Sequence, residues 1–214
     1  MRPISSAVGL RAGNHMDTPL TAKEIIQSIV RCDLAPALKQ AGFKKSALTF
    51  TRRLGSTGQF IQIQLSSWNQ GSVGSFYVNV GVMFDEMCLV EAIPHAHPKY
   101  DDCQFMVRLE QIMPDAPVQW PVDSGTSVAE VSKHLAACVN KIVATLNGVA
   151  SLADFESTGW VKVIPWSFPA RYAYALGRDD EAASLVANEA ACFADRGFTR
   201  ESLIRDYGFT RLLR

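Results

Sequence analysis

"FIQIQLSSWNQGSVGSFYVNVGVMF", residues 60–84, changes character at every second position. Ile61, Ile63 and Leu65 alternate with Gln62, Gln64 and Ser66, and Phe76, Val78, Val80, Val82 and Phe84 alternate with Tyr77, Asn79, Gly81 and Met83. Successive side chains of a strand point to opposite sides, so each run sorts an apolar face from a polar one. "WNQGSVGS" between the runs is a Gly-rich connection. Upstream, "ALTFTRR" sets Leu48, Phe50 and Arg52 against Thr49 and Thr51, and "GSTG", 55–58, reads as the turn between strands. Three alternating runs joined by short loops predict an antiparallel meander, dry on one side and wet on the other. "MCLVEAI", 87–93, reads as a fourth strand or as the lead into a polar loop.

Helices flank this ribbon. Thr21 and Glu24 form a capping box, followed by Ile25, Ile26, Ile29, Val30, Leu34 and Leu38 at helical spacing. The pattern predicts a helix over 21–41, ended by Gly42, with Lys44 and Lys45 complementing its negative end. Pro36 removes a backbone donor, which predicts a kink or break near Asp33. Phe43 is expected to pack beneath this helix. Ser127 and Glu130 open a second amphipathic stripe through Val131, Leu135, Val139, Ile142 and Leu146, a helix over 127–147. "CQFMVRLEQIM", 103–113, fits a short helix, and "VQWPV" fits an edge strand because Pro121 would interrupt a central one. After Gly148 the chain reads as helical, with a Pro-interrupted aromatic connection, "WVKVIPWSF".

The expected fold class is α+β: an antiparallel meander of about four strands, two main helices packed on one face, and a helical C-terminal extension. Residues 1–19 lack periodicity and read as a flexible leader, with Met16 as the natural start. Residues 20–148 form the core domain, and 149–214 the extension packed on it.

Composition bounds the function. The 214 residues are 48% apolar and 20% charged, an ordinary globular balance. Lys plus Arg equals Asp plus Glu at 21 each, so no basic surplus exists for a general grip on phosphates, and nucleic acid is not an expected partner. A net charge near zero favours self-association. No apolar run approaches a membrane span or a secretion signal. The five cysteines are widely spaced and contain no CxxC pair, which suits reduced thiols in the cytoplasm.

"IPHAHPKYDDC", 93–103, is the stretch closest to a metal motif. His95 and His97 with Asp101 or Asp102 would make a two-His, one-carboxylate set. Pro94 and Pro98 bracket the histidines and favour a turn, and the spacing matches no established motif. The favoured reading is a loop from sheet to helix with an aspartate as helix cap. No Gly-x-Ser-x-Gly elbow and no phosphate-cradling Gly loop occurs, and no cofactor is expected.

"LKQAGFKKSALTFTRR", then "IQIQLSSW", then "FYVNVGV", resemble the bacterial domain of unknown function 4304 over residues 21–147. The resemblance implies an α+β fold and carries no activity with it. On the residues alone, the favoured function is a non-enzymatic protein-interaction module, compatible with an immunity or antitoxin role. Its binding face would be the polar side of the sheet, through Gln62, Gln64, Asn79 and Tyr77, with Trp68 at the rim. The alternatives are a metal-dependent enzyme using the His95/His97 loop and a small-ligand binder using the same polar face.

Overall fold

The structure is a computed structural model, and it describes residues 19–91, 98–164 and 166–213. It is α+β. A six-stranded antiparallel sheet is built from β1 (Lys44–Ser46), β2 (Thr49–Leu54), β3 (Thr57–Leu65), β4 (Gly74–Phe84), β5 (Phe105–Arg108) and β6 (Trp120–Val122). The first five are neighbours in chain order, and β6 pairs with the start of β4, Gly74–Phe76, beyond the end of β5. The two-residue rhythm sets the register: Ile61 faces Val80 and Ile63 faces Val78. All four are buried on one side of the sheet.

Two helical layers cover that side. The first runs α1 (Ala22–Ile29), a π-helical turn (Val30–Leu34) and α2 (Ala35–Gln40). The capping box of Thr21 and Glu24 is present. The π turn falls where the kink was expected, and Pro36 sits in the first turn of α2. The second layer is α5 (Val128–Leu146), capped by Ser127. Ile26, Ile29, Leu34, Leu38, Val139, Ile142 and Leu146 join the strand residues in one core. Each such side chain taken out of water contributes roughly 1.5–3 kcal/mol before entropy is charged against it.

Several local expectations are overturned. Residues 87–91 supply no strand: α3 (Asp85–Glu91) follows β4 directly, with Asp85 and Glu86 in its first turn, where acids suit the helix dipole, and residues 92 and 93 lie outside the described residues. Residues 103–113 are not one helix. Phe105 and Val107 point into the core, Met106 and Arg108 point out, and the strand so formed fills the open edge of β4 along Asn79–Val82. Only α4 (Leu109–Ile112) is helical there, and Asp102 caps a 3-10 turn (Tyr100–Asp102) by accepting the Lys99 amide. Lys44 and Lys45 belong to an edge strand. The turn between β2 and β3 narrows to Gly55 and Ser56, because Thr57 and Gly58 already pair.

The chain after α5 continues into the same core. Phe155, in a 3-10 segment (Ala153–Thr158), packs edge-on against Phe84 and Phe105, and Trp160 stacks on Phe105 at 5.9 Å. Helix α6 (Ser167–Ala175) has two faces. Phe168 and Tyr172 enter the main core, and the Tyr172 hydroxyl donates to the Leu152 carbonyl. Its other face, Ala170, Ala173 and Tyr174, builds a second core with α7 (Asp179–Cys192) and α8 (Arg200–Asp206). Phe209 stacks on Tyr174 there at 4.3 Å. Trp160 thus serves the core, whereas Trp166 is half exposed beside Phe193. Among the described residues, no helix is long and apolar enough to cross a membrane.

Candidate functional site

The side of the sheet away from α1 and α5 carries the chemistry. Strand pairing lines up outward-facing residues in rows. One row runs Ser46, Thr49, Gln62, Asn79 and Arg108 across five strands, and the next runs Lys44, Thr51, Phe60, Gly81 and Met106. The Asn79 amide donates to Gln62 Oε1 at 3.0 Å and to Gln64 Oε1 at 2.9 Å. Gln64 pairs with Tyr77, whose ring lies under the Arg108 guanidinium at 4.0 Å. These bonds fix the orientation of the amide groups.

This face is not uniformly wet. At the β2–β3 turn end, Phe60, Met83, Cys88 and Cys103 form a small buried cluster with Tyr100 against it. Gly81 makes the cluster feasible. A Cβ at that position would stand 2.9 Å from both the Cys103 Sγ and the Tyr100 ring. The expectation of one buried and one solvated face therefore holds toward the Gln64 end and fails at the other.

Between the two regions lies an open groove of about 1500 Å³. Thr49, Thr51, Phe60 and Gln62 form its floor. Asp85 and Leu89 of α3, with the segment Pro98–Asp101, form the far wall, and Lys44 stands at the near rim. Arg53 and Asp85 close one end through paired bonds of 3.1 and 2.5 Å. That carboxylate pushes the Arg53 guanidinium above its ordinary value. Leu89 is 79% exposed, an apolar surface at the groove.

The groove presents hydroxyls, an amide, two apolar side chains and charges of both signs. Burial pushes the Tyr100 phenol on the groove wall above its ordinary value, and does the same to the Cys103 thiol in the buried cluster beside the groove. Among the described residues, no three of His, Cys, Asp and Glu converge as metal ligands. His95 and His97 lie outside the described residues, and Asp101 sits on the groove wall.

Four of the expected binding residues, Gln62, Gln64, Asn79 and Tyr77, adjoin one another on the outer face, and only Gln62 lines the groove. Asn79 is buried within its own hydrogen bonds. Trp68 does not line it: it projects from the β3–β4 connection, 85% exposed. Sequence reading missed Thr51, Phe60, Arg53, Lys99 and Tyr100. The first three share the outward phase of β2 and β3 and were open to discovery. The other two come from a segment without periodicity.

A comparison with curated proteins and a comparison with solved structures each yield no match. The model of the family described as "Domain of unknown function (DUF4304)" matches residues 34–166, which takes in α2, all six strands, α5 and the 3-10 segments after it. That span holds the whole outer-face groove, and with it more than half of the chain; the protein belongs to the DUF4304 family.

Proposed function

We propose that the protein is a non-enzymatic binding module that holds a segment of a partner protein on the outer face of its sheet. The groove carries this reading. At about 1500 Å³ it exceeds the roughly 300–1000 Å³ typical of small-molecule sites, and it is open along the strands. Its floor presents hydroxyl and amide groups, and its wall the exposed Leu89, which suits a polypeptide's mix of carbonyls and side chains. A module that masks a partner in this way would serve an immunity- or antitoxin-type role. The exposed thiols of Cys32 and Cys192 support a reducing, cytoplasmic setting.

The test is site-directed photo-crosslinking in the native host. A benzoylphenylalanine replacing Thr51 should capture one protein that the same group at Lys133, exposed on α5, does not. The purified partner should then bind with saturable affinity, weakened at least tenfold by Thr51→Arg or Gln62→Arg. Equal capture from both positions, or equal affinity in all variants, overturns the reading. A small metabolite co-purifying at one per chain, and displaced by Thr51→Arg, would establish the ligand-binding alternative instead.

A further inference from the structure

The open edge of the sheet carries a second, differently built surface. β1 ends the strand order, and its three residues are exposed. Beside it, between β1 and α2, lies a cavity of about 740 Å³. Phe43, Phe50, Ala35 and Pro36 make an apolar floor. Arg31, Lys39, Lys44 and Lys45 stand around it. All four cations are exposed, and no carboxylate is among the residues lining the cavity. In a chain whose formal charge is zero, this is a concentrated local surplus. The Lys45 ammonium lies 5.8 Å from the Phe50 ring, so its stem drapes the apolar floor while its charge faces water.

We infer that this edge takes an extended acidic segment of a partner protein, added as a strand to β1. The backbone groups on the outer side of β1 would supply the pairing, as in strand-addition modes of peptide recognition. One apolar side chain of the segment would enter the cavity over Phe43 and Phe50, and its carboxylates would meet Lys39, Lys45 and Arg31. The charge decides the occupant. Lysines on an exposed edge repel a second copy of the same edge, which disfavours pairing between two copies of this chain. The same charges attract a segment rich in Asp or Glu, so one device supplies attraction and exclusion together. This surface is distinct from the outer-face groove: the two meet at Gly42 and Lys44, but the groove lies over outward-facing residues and the cavity lies on the helix side.

Panning a displayed library of random dodecapeptides on the full-length protein tests the inference. Enriched peptides should alternate acidic with apolar residues. A fluorescein-labelled synthetic copy should bind by anisotropy, protect the amides of residues 44–46 from hydrogen exchange, and weaken at least tenfold in Lys39→Glu/Lys45→Glu. Lys39→Gln/Lys45→Gln should give an intermediate loss, and Gln62→Arg, two strands from β1, should change the affinity less than twofold, which separates this site from the groove. Raising salt from about 50 to 300 mM should weaken binding severalfold, since the rim charges are exposed. The inference is overturned if nothing is enriched, if enriched peptides lack acidic residues, or if the charge-reversed protein binds them equally. It is equally overturned if a single-stranded oligothymidylate or vesicles of anionic lipid bind this edge more tightly than the peptide, which would assign it to nucleic acid or membrane.

Discussion

The Ser132 hydroxyl accepts the Asp33 amide at 3.0 Å, from the opposite helical layer. The same hydroxyl donates to the Ile29 carbonyl at 2.9 Å. In an unbroken α-helix the Asp33 amide would bond to Ile29 directly. Ser132 stands between the two and completes both, and the helix opens there into the π turn Val30–Leu34. Ser132 is fully buried, so the groups it serves have no route to water through it. Ser132→Ala should cost about 1–3 kcal/mol, the penalty for stranding buried polar groups. Urea unfolding gives the cost. Faster hydrogen exchange at Asp33, with the rest of α1 unchanged, would locate it. An unchanged midpoint would mean that the helix closes into a regular α form without loss.

Arg52 is the second structural tie that joins distant elements. It donates to the Ala41 carbonyl at the end of α2, to Gln59 Oε1 on β3 and to Asn147 Oδ1 at the end of α5. Its guanidinium lies 4.5 Å over the Phe43 ring. Gln59 is buried and turns its own amide to the Leu146 and Val149 carbonyls, so two strand residues satisfy the ends of two helices. A lysine carries the same charge without the planar fork. Arg52→Lys should therefore lose about 1.5–3 kcal/mol, the worth of a charged hydrogen bond, nearly as much as Arg52→Ala. Thermal and urea unfolding of both variants check this, and a fully stable lysine variant would show that charge alone suffices.

What was legible in the sequence follows from how local each cause is. Ile61, Ile63, Val78 and Val80 announced the buried face because a strand's period is visible within a few residues. Thr21 and Ser127 announced helix starts for the same reason. Phe105–Arg108 did not stand out, because "FMVR" alternates inside a segment that also matches helical spacing. What selects the strand there is the vacant edge of β4 along Asn79–Val82, a tertiary fact. The cluster under Gly81 was hidden likewise, since the Cys103 and Tyr100 that fill it arrive from a non-repeating segment. The phase of β3 and β4 brought Gln62, Gln64, Asn79 and Tyr77 together on paper. It could not supply the wall of Asp85, Leu89 and Lys99 that makes a groove beside Gln62.

Acid should loosen the C-terminal helices. Glu156 pairs with Arg178 at 2.6 and 3.0 Å, and Asp179 pairs with Arg211 at 2.8 to 3.0 Å. The arginine hydrogen bonds hold both carboxyls below their ordinary values of 4.5 and 3.8. A carboxyl with a lowered folded-state value stabilises fully above its unfolded value and loses that contribution as pH falls through the folded value. Stability from these pairs should thus be flat from neutral pH down to about pH 5 and decline below the ordinary values. These groups are exposed, so the decline should be modest. Hydrogen exchange across α6, α7 and the C-terminal turn at pH 3.5 against pH 6.5 measures it. Glu156→Gln/Asp179→Asn should flatten the difference, and an equal acid response in that variant would place its source elsewhere.

Gly81→Ala tests how the groove wall is held against the sheet. The added methyl would sit 2.9 Å from the Cys103 Sγ and from the Tyr100 ring, closer than carbon tolerates. Gly81 lies within β4, where the backbone cannot step aside without breaking its pairing to both β3 and β5. The segment carrying Tyr100 and Cys103 must therefore move outward, at an overpacking cost of about 1–3 kcal/mol. Thiol labelling reads this displacement directly. In the parent protein Cys32 and Cys192 are exposed, and Cys88, Cys103 and Cys138 are buried. Mass spectrometry after brief alkylation should find modification at the first two alone in the parent, and at Cys103 as well in Gly81→Ala. A variant in which Cys103 stays protected at undiminished stability would mean that the wall yields sideways, with the cluster of Phe60 and Met83 still closed beneath it.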